Sequence, residues 1–106
     1  MFKLNIEAEP TDVEIDPVKT ALIVIDMQKD FLLHGGYGES LGNNPDNLTT
    51  IIAPIQKVLK AARNIGMLVI HTREGHLPDL SDCPSTKLLR WPKVGVLEIK
   101  VQWGVF

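Results

Sequence analysis

The chain has 106 residues, of which 44% are hydrophobic, so it is long enough for one domain of modest size with a packed core. Its 11 basic and 13 acidic residues are mixed along the sequence and give a formal net charge of −2. The absence of a basic block or of a stripe of basic and aromatic residues argues against a nucleic-acid partner. Its apolar runs fall far short of the roughly 20 residues that span a bilayer, which argues against a membrane protein.

The N-terminus and the cysteine content indicate the compartment. Residues 1–19 lack the apolar segment of a signal peptide, and the single cysteine, Cys83, cannot form an internal disulfide. A reducing, cytoplasmic location is therefore expected. The same residues are polar and contain Pro10 and Pro17, so we predict a leading arm over 1–19 with one short extended piece and a single domain over 20–106.

The first strong structural signal is the apolar run at residues 20–25, which ends at Asp26. An unbroken aliphatic run predicts a strand buried on both faces, as in a parallel sheet. Open parallel sheets carry their chemistry just beyond the carboxyl ends of their strands. Asp26 is therefore the first candidate functional residue, and the alternative is an aspartate that merely caps a turn.

A long connection follows over residues 27–47, with four glycines before Pro45. Connections of this length in compact domains are usually functional or disordered, and its place after the Asp26 strand predicts a pocket wall. Gln28 and Asp30 are expected to have structural roles there. Phe31 could line the pocket or belong to the core.

A helix and a second strand complete the first structural unit. Apolar residues recur at helical spacing from Ile51 to Ile65, and Gly66 suits a left-handed stop. Pro54 moves the expected helix start towards Ile52. Residues 67–72 form a second strand, so the sequence predicts a right-handed βαβ unit with parallel strands. We expect an α/β fold, namely a partial doubly wound, Rossmann-like parallel sheet with flanking helices.

Residues 72–92 are predicted as a polar loop and residues 94–101 as a last strand. Arg73, at the end of the second strand, could pair with Glu74 or recognise a carbonyl or carboxylate group. His71 and His76 are five positions apart, unlike the i,i+4 histidine pair of a helical zinc site. No metal site is therefore expected.

The segment Asp26-Met27-Gln28-Lys29-Asp30-Phe31 and residues 71–84 resemble the isochorismatase-like cysteine hydrolases, in the biuret and ureidoacrylate amidohydrolase branch. The resemblance covers residues 18–91 well and the rest weakly. It implies hydrolysis of C–N bonds in small amides, ureas or carbamoyl compounds, without a cofactor. It also implies that Asp26 is the base of an Asp–Lys–Cys triad and that Phe31 lines the substrate pocket. The nicotinamidase metal motif is absent, because His34 stands alone in the first long loop.

The other two triad members differ in how well they match. Lys100 lies in a Lys-x-x-x-Gly-x-Phe context that resembles the surroundings of the family's catalytic lysine, and coincidence is the alternative. Cys83 matches a non-catalytic loop of the family and not its nucleophile, so we predict that Cys83 is not the nucleophile.

The expected extent of the domain leaves two functional hypotheses. Complete family members are longer and carry the nucleophilic cysteine on a helix that has no counterpart here, so the domain is expected to be C-terminally truncated. The first hypothesis is a hydrolase with Asp26 as base; isochorismate hydrolysis, which uses the same aspartate without the cysteine, is a sibling chemistry. The second is a non-catalytic homologue that forms a homo-oligomer or joins a partner subunit through an exposed sheet edge.

Overall fold

The computed structural model describes residues 2–88. These residues form two compact units, one of residues 2–24 and 53–71 and the other of residues 25–52 and 72–88. Lys100 and the strand predicted over 94–101 lie outside the described residues.

The secondary structure alternates short strands and helices, with two turns of 3₁₀ helix at Pro17–Lys19 and Thr49–Ile51. In chain order the other elements are β1 (Leu4–Ile6), β2 (Val13–Ile15), β3 (Ala21–Val24), α1 (Lys29–Leu32), α2 (Tyr37–Ser40), α3 (Pro45–Leu48), α4 (Ile52–Asn64), β4 (Leu68–His71) and α5 (Ser85–Leu88). None of the helices within residues 2–88 is both long enough and apolar enough to cross a bilayer.

The N-terminal arm contains two strands where the sequence predicted one extended piece. Strands β1 and β2 pair antiparallel with Leu4 opposite Ile15. Across this hairpin the Lys3 ammonium bonds the Glu14 carboxylate at 3.0 Å. The sequence prediction missed the pairing because each strand is only three residues long.

The parallel pair of strands confirms the α/β class. Strand β3 pairs with β4 in parallel, with Ala21 opposite Leu68 and Val24 opposite His71, and α4 lies between them in the chain. Within residues 2–88 the strands form two two-stranded sheets. The doubly wound sheet therefore stays a prediction.

The helix that joins the two strands ends as its sequence predicts. Gly66 has a φ of +76°, a left-handed conformation in which glycine carries no Cβ penalty. Its N–H donates to the Arg63 carbonyl at 3.1 Å, and the Met67 N–H donates to the Ala62 carbonyl at 3.0 Å. This is the pair of bonds of a Schellman stop. The start at Ile52 also matches, with Pro54 in the first turn.

One face of the parallel pair is exposed, contrary to the predicted burial on both faces. The exposed fractions are 51% for Ile23, 62% for Leu68 and 40% for Ile70, whereas Val24 is buried. Side chains alternate across a strand, so these three residues share one face. No described element of this unit covers that face.

The same unit encloses an apolar cavity of about 340 Å³ at the start of β3. Residues from β1, β2, β3 and α4 and their flanks line it: Leu4, Ile6, Ile15, Thr20, Ala21, Leu22, Val58, Ala61, Ala62, Ile65 and Met67. Val58, one of the apolar residues that recur along α4, is 54% exposed. It lines this cavity, which leaves its side chain incompletely covered.

In the second unit, three one-turn helices replace the irregular connection predicted over residues 27–47. Helices α1, α2 and α3 follow one another with short turns between them. Asn44 caps α3, since its side-chain oxygen accepts a hydrogen bond from the Asp46 N–H at 3.0 Å. Gly35 and Gly42 therefore lie in turns between helices, whereas Gly38 is part of α2 and Pro45 begins α3.

Candidate functional site

Asp26 lies two residues beyond the carboxyl end of β3, and its side chain and its N–H both bond to Thr72. The Asp26 N–H lies 3.2 Å from the Thr72 carbonyl oxygen and 3.1 Å from the Thr72 Oγ1. The Thr72 hydroxyl in turn donates to Asp26 Oδ1 at 2.8 Å. Thr72 directly follows β4, so parallel pairing brings the two residues together. The half-buried carboxylate is thus fixed in direction, as a base must be.

A second pair of bonds lies just beyond the first. The Gln28 amide nitrogen donates to the Glu74 carbonyl at 2.8 Å, and the Glu74 N–H donates to Gln28 Oε1 at 2.7 Å. The side chain therefore pairs with the backbone as a neighbouring strand would. Gln28 is the most buried side chain described, 1% exposed, and the predicted structural role is confirmed.

Asp30 fastens the turn after α1. Its side chain is buried, and its Oδ1 accepts a hydrogen bond from the Tyr37 N–H at 3.2 Å. A Cβ at position 36 would overlap the Asp30 carbonyl oxygen, so Gly36 is required by space and not by its dihedral angle. The structural role predicted for Asp30 is confirmed. Phe31, the neighbouring residue of α1, is half-buried, and its part in a substrate pocket stays a prediction.

Lys87 is the centre of a network that the sequence did not reveal. Its ammonium lies 2.9 Å from Glu74 Oε1, 2.7 Å from His76 Nε2 and 5.6 Å from the centre of the Tyr37 ring. An ammonium group only donates, so His76 Nε2 must accept and the ring proton must sit on Nδ1. That nitrogen lies 3.6 Å from Asp82 Oδ1. The bond to Glu74 comes from a lysine 13 residues away, within the loop predicted over residues 72–92.

His34, which stands alone in the sequence, bridges two carboxylates. Its Nδ1 lies 2.6 Å from Glu39 Oε2 and its Nε2 lies 2.8 Å from Asp46 Oδ1. Hydrogen bonds to Asp46 and then to Glu39, with the negative charge of both, raise the pKa of His34 above its ordinary value of 6.5. The sequence offered a weak signal, since acidic residues follow the histidine at five and twelve positions.

The remaining candidates are distributed as follows. Cys83 is buried against Tyr37 and Leu80, and its Sγ lies 3.9 Å from the Pro84 carbonyl oxygen. Arg73 follows Thr72 directly, is exposed and has an interaction with another group of the protein. Its recognition of a substrate stays a prediction. Lys100 lies outside the described residues. Among residues 2–88, no cluster of three or more histidine, cysteine, aspartate or glutamate side chains is arranged to hold a metal ion.

In a comparison with protein-family models, the isochorismatase domain matches residues 20–98. The match includes β3, β4 and the whole second unit as described, so it contains both Asp26 and Thr72.

Proposed function

This chain belongs to the isochorismatase domain family, a family of hydrolases, and we propose that Asp26 is the general base in hydrolysis of a C–N bond. The substrates would be small amides, ureas or carbamoyl compounds, as in the biuret and ureidoacrylate branch. The observation that carries this proposal is the Asp26–Thr72 pair, which aims a carboxylate from the carboxyl end of a parallel strand. Ligands of open parallel sheets bind at that edge.

The proposed chemistry begins with a proton transfer to Asp26. A thiol with an ordinary pKa near 8.5 is mostly protonated at neutral pH, so a nearby base is needed to make it nucleophilic. With Thr72 donating to Oδ1, we assign the proton to Oδ2. The thiolate attacks the carbonyl carbon, and the leaving nitrogen takes the proton from Asp26 and departs as ammonia or an amine. Water then hydrolyses the thioester and returns a proton to the thiol. Lys100 would stabilise the negative charge on the carbonyl oxygen, and Arg73 and Phe31 would contact the substrate.

The nucleophilic thiol is the component that we do not assign to a residue of this chain. Its single cysteine, Cys83, is packed against Tyr37 and Leu80 in the loop before α5. We therefore propose that Cys83 is not the nucleophile and that the isolated chain is silent as an amidohydrolase. If Cys83→Ala removed a measured amidase activity while the fold stayed intact, this assignment would be wrong.

A complementation experiment tests the role of Asp26. The purified chain is mixed with a full-length homologue whose own base has been changed to asparagine, and ammonia release from small amides and ureas is measured. We expect no release by either protein alone, release by the mixture, and none by a mixture made with Asp26→Asn. Release that survives Asp26→Asn would refute the proposal.

The exposed face of the parallel pair favours a second candidate, a non-catalytic subunit that associates with a partner. Ile23, Leu68 and Ile70 together present an exposed apolar surface, and a bound partner would remove that surface from water. In this case the mixture above would form a complex without activity. Sedimentation of the chain alone, compared with Ile23→Thr, measures whether this face drives self-association, and an unchanged mass distribution would count against it.

A further inference from the structure

We propose that His34, Glu39 and Asp46 form a pH-dependent clasp that holds together the turns between α1, α2 and α3. The clasp itself stands on the geometry of these three side chains. Its meaning for catalysis rests on the proposed function, because these helices form the segment that follows Asp26 in the chain.

The hydrogen bonds fix the protonation state of the ring. Both carboxylates can only accept, and one lies within bonding distance of each ring nitrogen, at 2.6 Å from Nδ1 and 2.8 Å from Nε2. Both nitrogens must therefore carry a proton, so the bridging form of His34 is the imidazolium cation. A neutral ring would keep one bond and set a lone pair against the other carboxylate.

The three groups come from three successive segments. His34 lies in the turn after α1, Glu39 is on α2, and Asp46 is in the first turn of α3. The other charged or titratable groups of these helices are engaged elsewhere or exposed: Asp30 bonds the Tyr37 N–H, the Tyr37 ring faces Lys87, and Lys29 is exposed. The ring thus closes a turn that contains Gly35, whose backbone is left-handed at a φ of +83°.

The sign of the pH dependence follows from the charge. The pKa of His34 is raised in the folded chain by Asp46 and Glu39. A raised pKa means that the stabilisation is fully present below the unfolded value and is lost as pH rises through the folded value. The clasp is therefore closed below the ordinary histidine value of 6.5, down to where the two carboxylates become protonated, and it opens as the pH rises through the raised pKa of His34.

Nuclear magnetic resonance of the whole chain tests this. The ring nitrogens of His34 and the backbone relaxation of residues 35–43 are followed as pH is raised from 6 to 9. We expect the imidazolium signal to persist above pH 6.5, the ordinary value of the histidine pKa, and the segment to become more mobile as that signal disappears. Glu39→Gln and Asp46→Asn should each lower the titration midpoint, and His34→Gln should be mobile throughout.

His71→Gln is the matched control, because His71 is exposed on β4 in the other unit and should leave residues 35–43 unchanged. Titration of His34 at or below the ordinary pKa of 6.5, or the same backbone relaxation on both sides of its titration midpoint, would overturn the clasp. If the clasp titrated as expected but the mixture with the homologue released no ammonia, the result would count against the proposed function and not against the clasp.

Discussion

The second unit is tied together in two different ways. Around Gln28 the ties are neutral hydrogen bonds to a backbone segment, and the side chain is 1% exposed. Around His34 the ties are ionic, and the ring is 66% exposed. Both sets of bonds join segments that are distant along the chain or separated by turns. The two sets therefore differ in their exposure to solvent and not in the kind of connection that they make.

This difference decides what each tie can do. A buried polar group that loses its partner bears the full cost of desolvation, so the Gln28 bonds fix positions that must not change. An exposed ion pair competes with water and salt and contributes little at equilibrium. It does respond to pH, so the His34 clasp suits a segment that opens and closes.

The largest effect is expected from Gln28→Leu, which leaves the Glu74 N–H and carbonyl without these partners. Each unsatisfied group costs roughly 1–3 kcal/mol, so we expect unfolding free energy to fall by about 2–3 kcal/mol in urea titrations. Gln56→Leu, at an exposed position of α4, is the control. If the two variants were equally stable, the buried hydrogen bonds of Gln28 would contribute no more to the free energy of unfolding than an exposed glutamine does.

Gly36→Ala should come next, because its Cβ would overlap the Asp30 carbonyl oxygen. Overpacking of this kind costs about 1–3 kcal/mol. Gly35→Ala separates crowding from dihedral strain, since its Cβ meets nothing within 4 Å while its φ is +83°. Thermal unfolding should show the larger loss at position 36, and the reverse order would assign the effect to backbone strain.

Thr72→Val removes the hydroxyl that donates to Asp26 while keeping the shape of the side chain. Hydrogen bonds to charged groups contribute about 1.5–3 kcal/mol, and the half-buried position places the expected loss at about 1.5 kcal/mol. Thr72→Ser keeps the donor and should restore most of this stability in the same denaturation assay. If serine behaved like valine, packing of the methyl group would be the cause.

His34→Gln should have the smallest effect on stability, and one that depends on pH. The wild-type chain should be more stable than the variant below pH 6.5, the ordinary value of a histidine pKa, and the two should converge as pH rises through the raised pKa of His34. Urea titrations at several pH values measure this difference. A constant difference across the series would show that charge on the ring is not involved.

Much of the first unit was predictable from the sequence because its signals are local. The apolar runs of β3 and β4 and the glycine after α4 depend on neighbouring residues alone. The hairpin was missed because two three-residue strands give too few alternations. Burial of β3 was overestimated because the composition of a strand does not tell which layers are present to cover it.

The candidate site was predictable only in part, for a related reason. Asp26 could be found from its place after an apolar run. Its partner Thr72 lies 46 residues away, and Lys87 meets Glu74 across 13 residues. Such contacts depend on how strand ends meet in space, and no local spacing reports that.

The backbone at Asp26 limits which substitutions can be interpreted. Its φ of +52° lies in the left-handed region, which asparagine and aspartate tolerate and which costs other residues with a Cβ roughly 1–2 kcal/mol. Asp26→Asn therefore changes charge with little change in backbone preference, whereas Asp26→Ala changes both. In a saturation scan, alanine and β-branched residues should lower the amount of folded chain, and asparagine, which keeps an acceptor oxygen for the Thr72 hydroxyl, should not. At this position the amount of folded protein would then depend on the backbone preference of the residue, whereas activity would depend on its carboxylate.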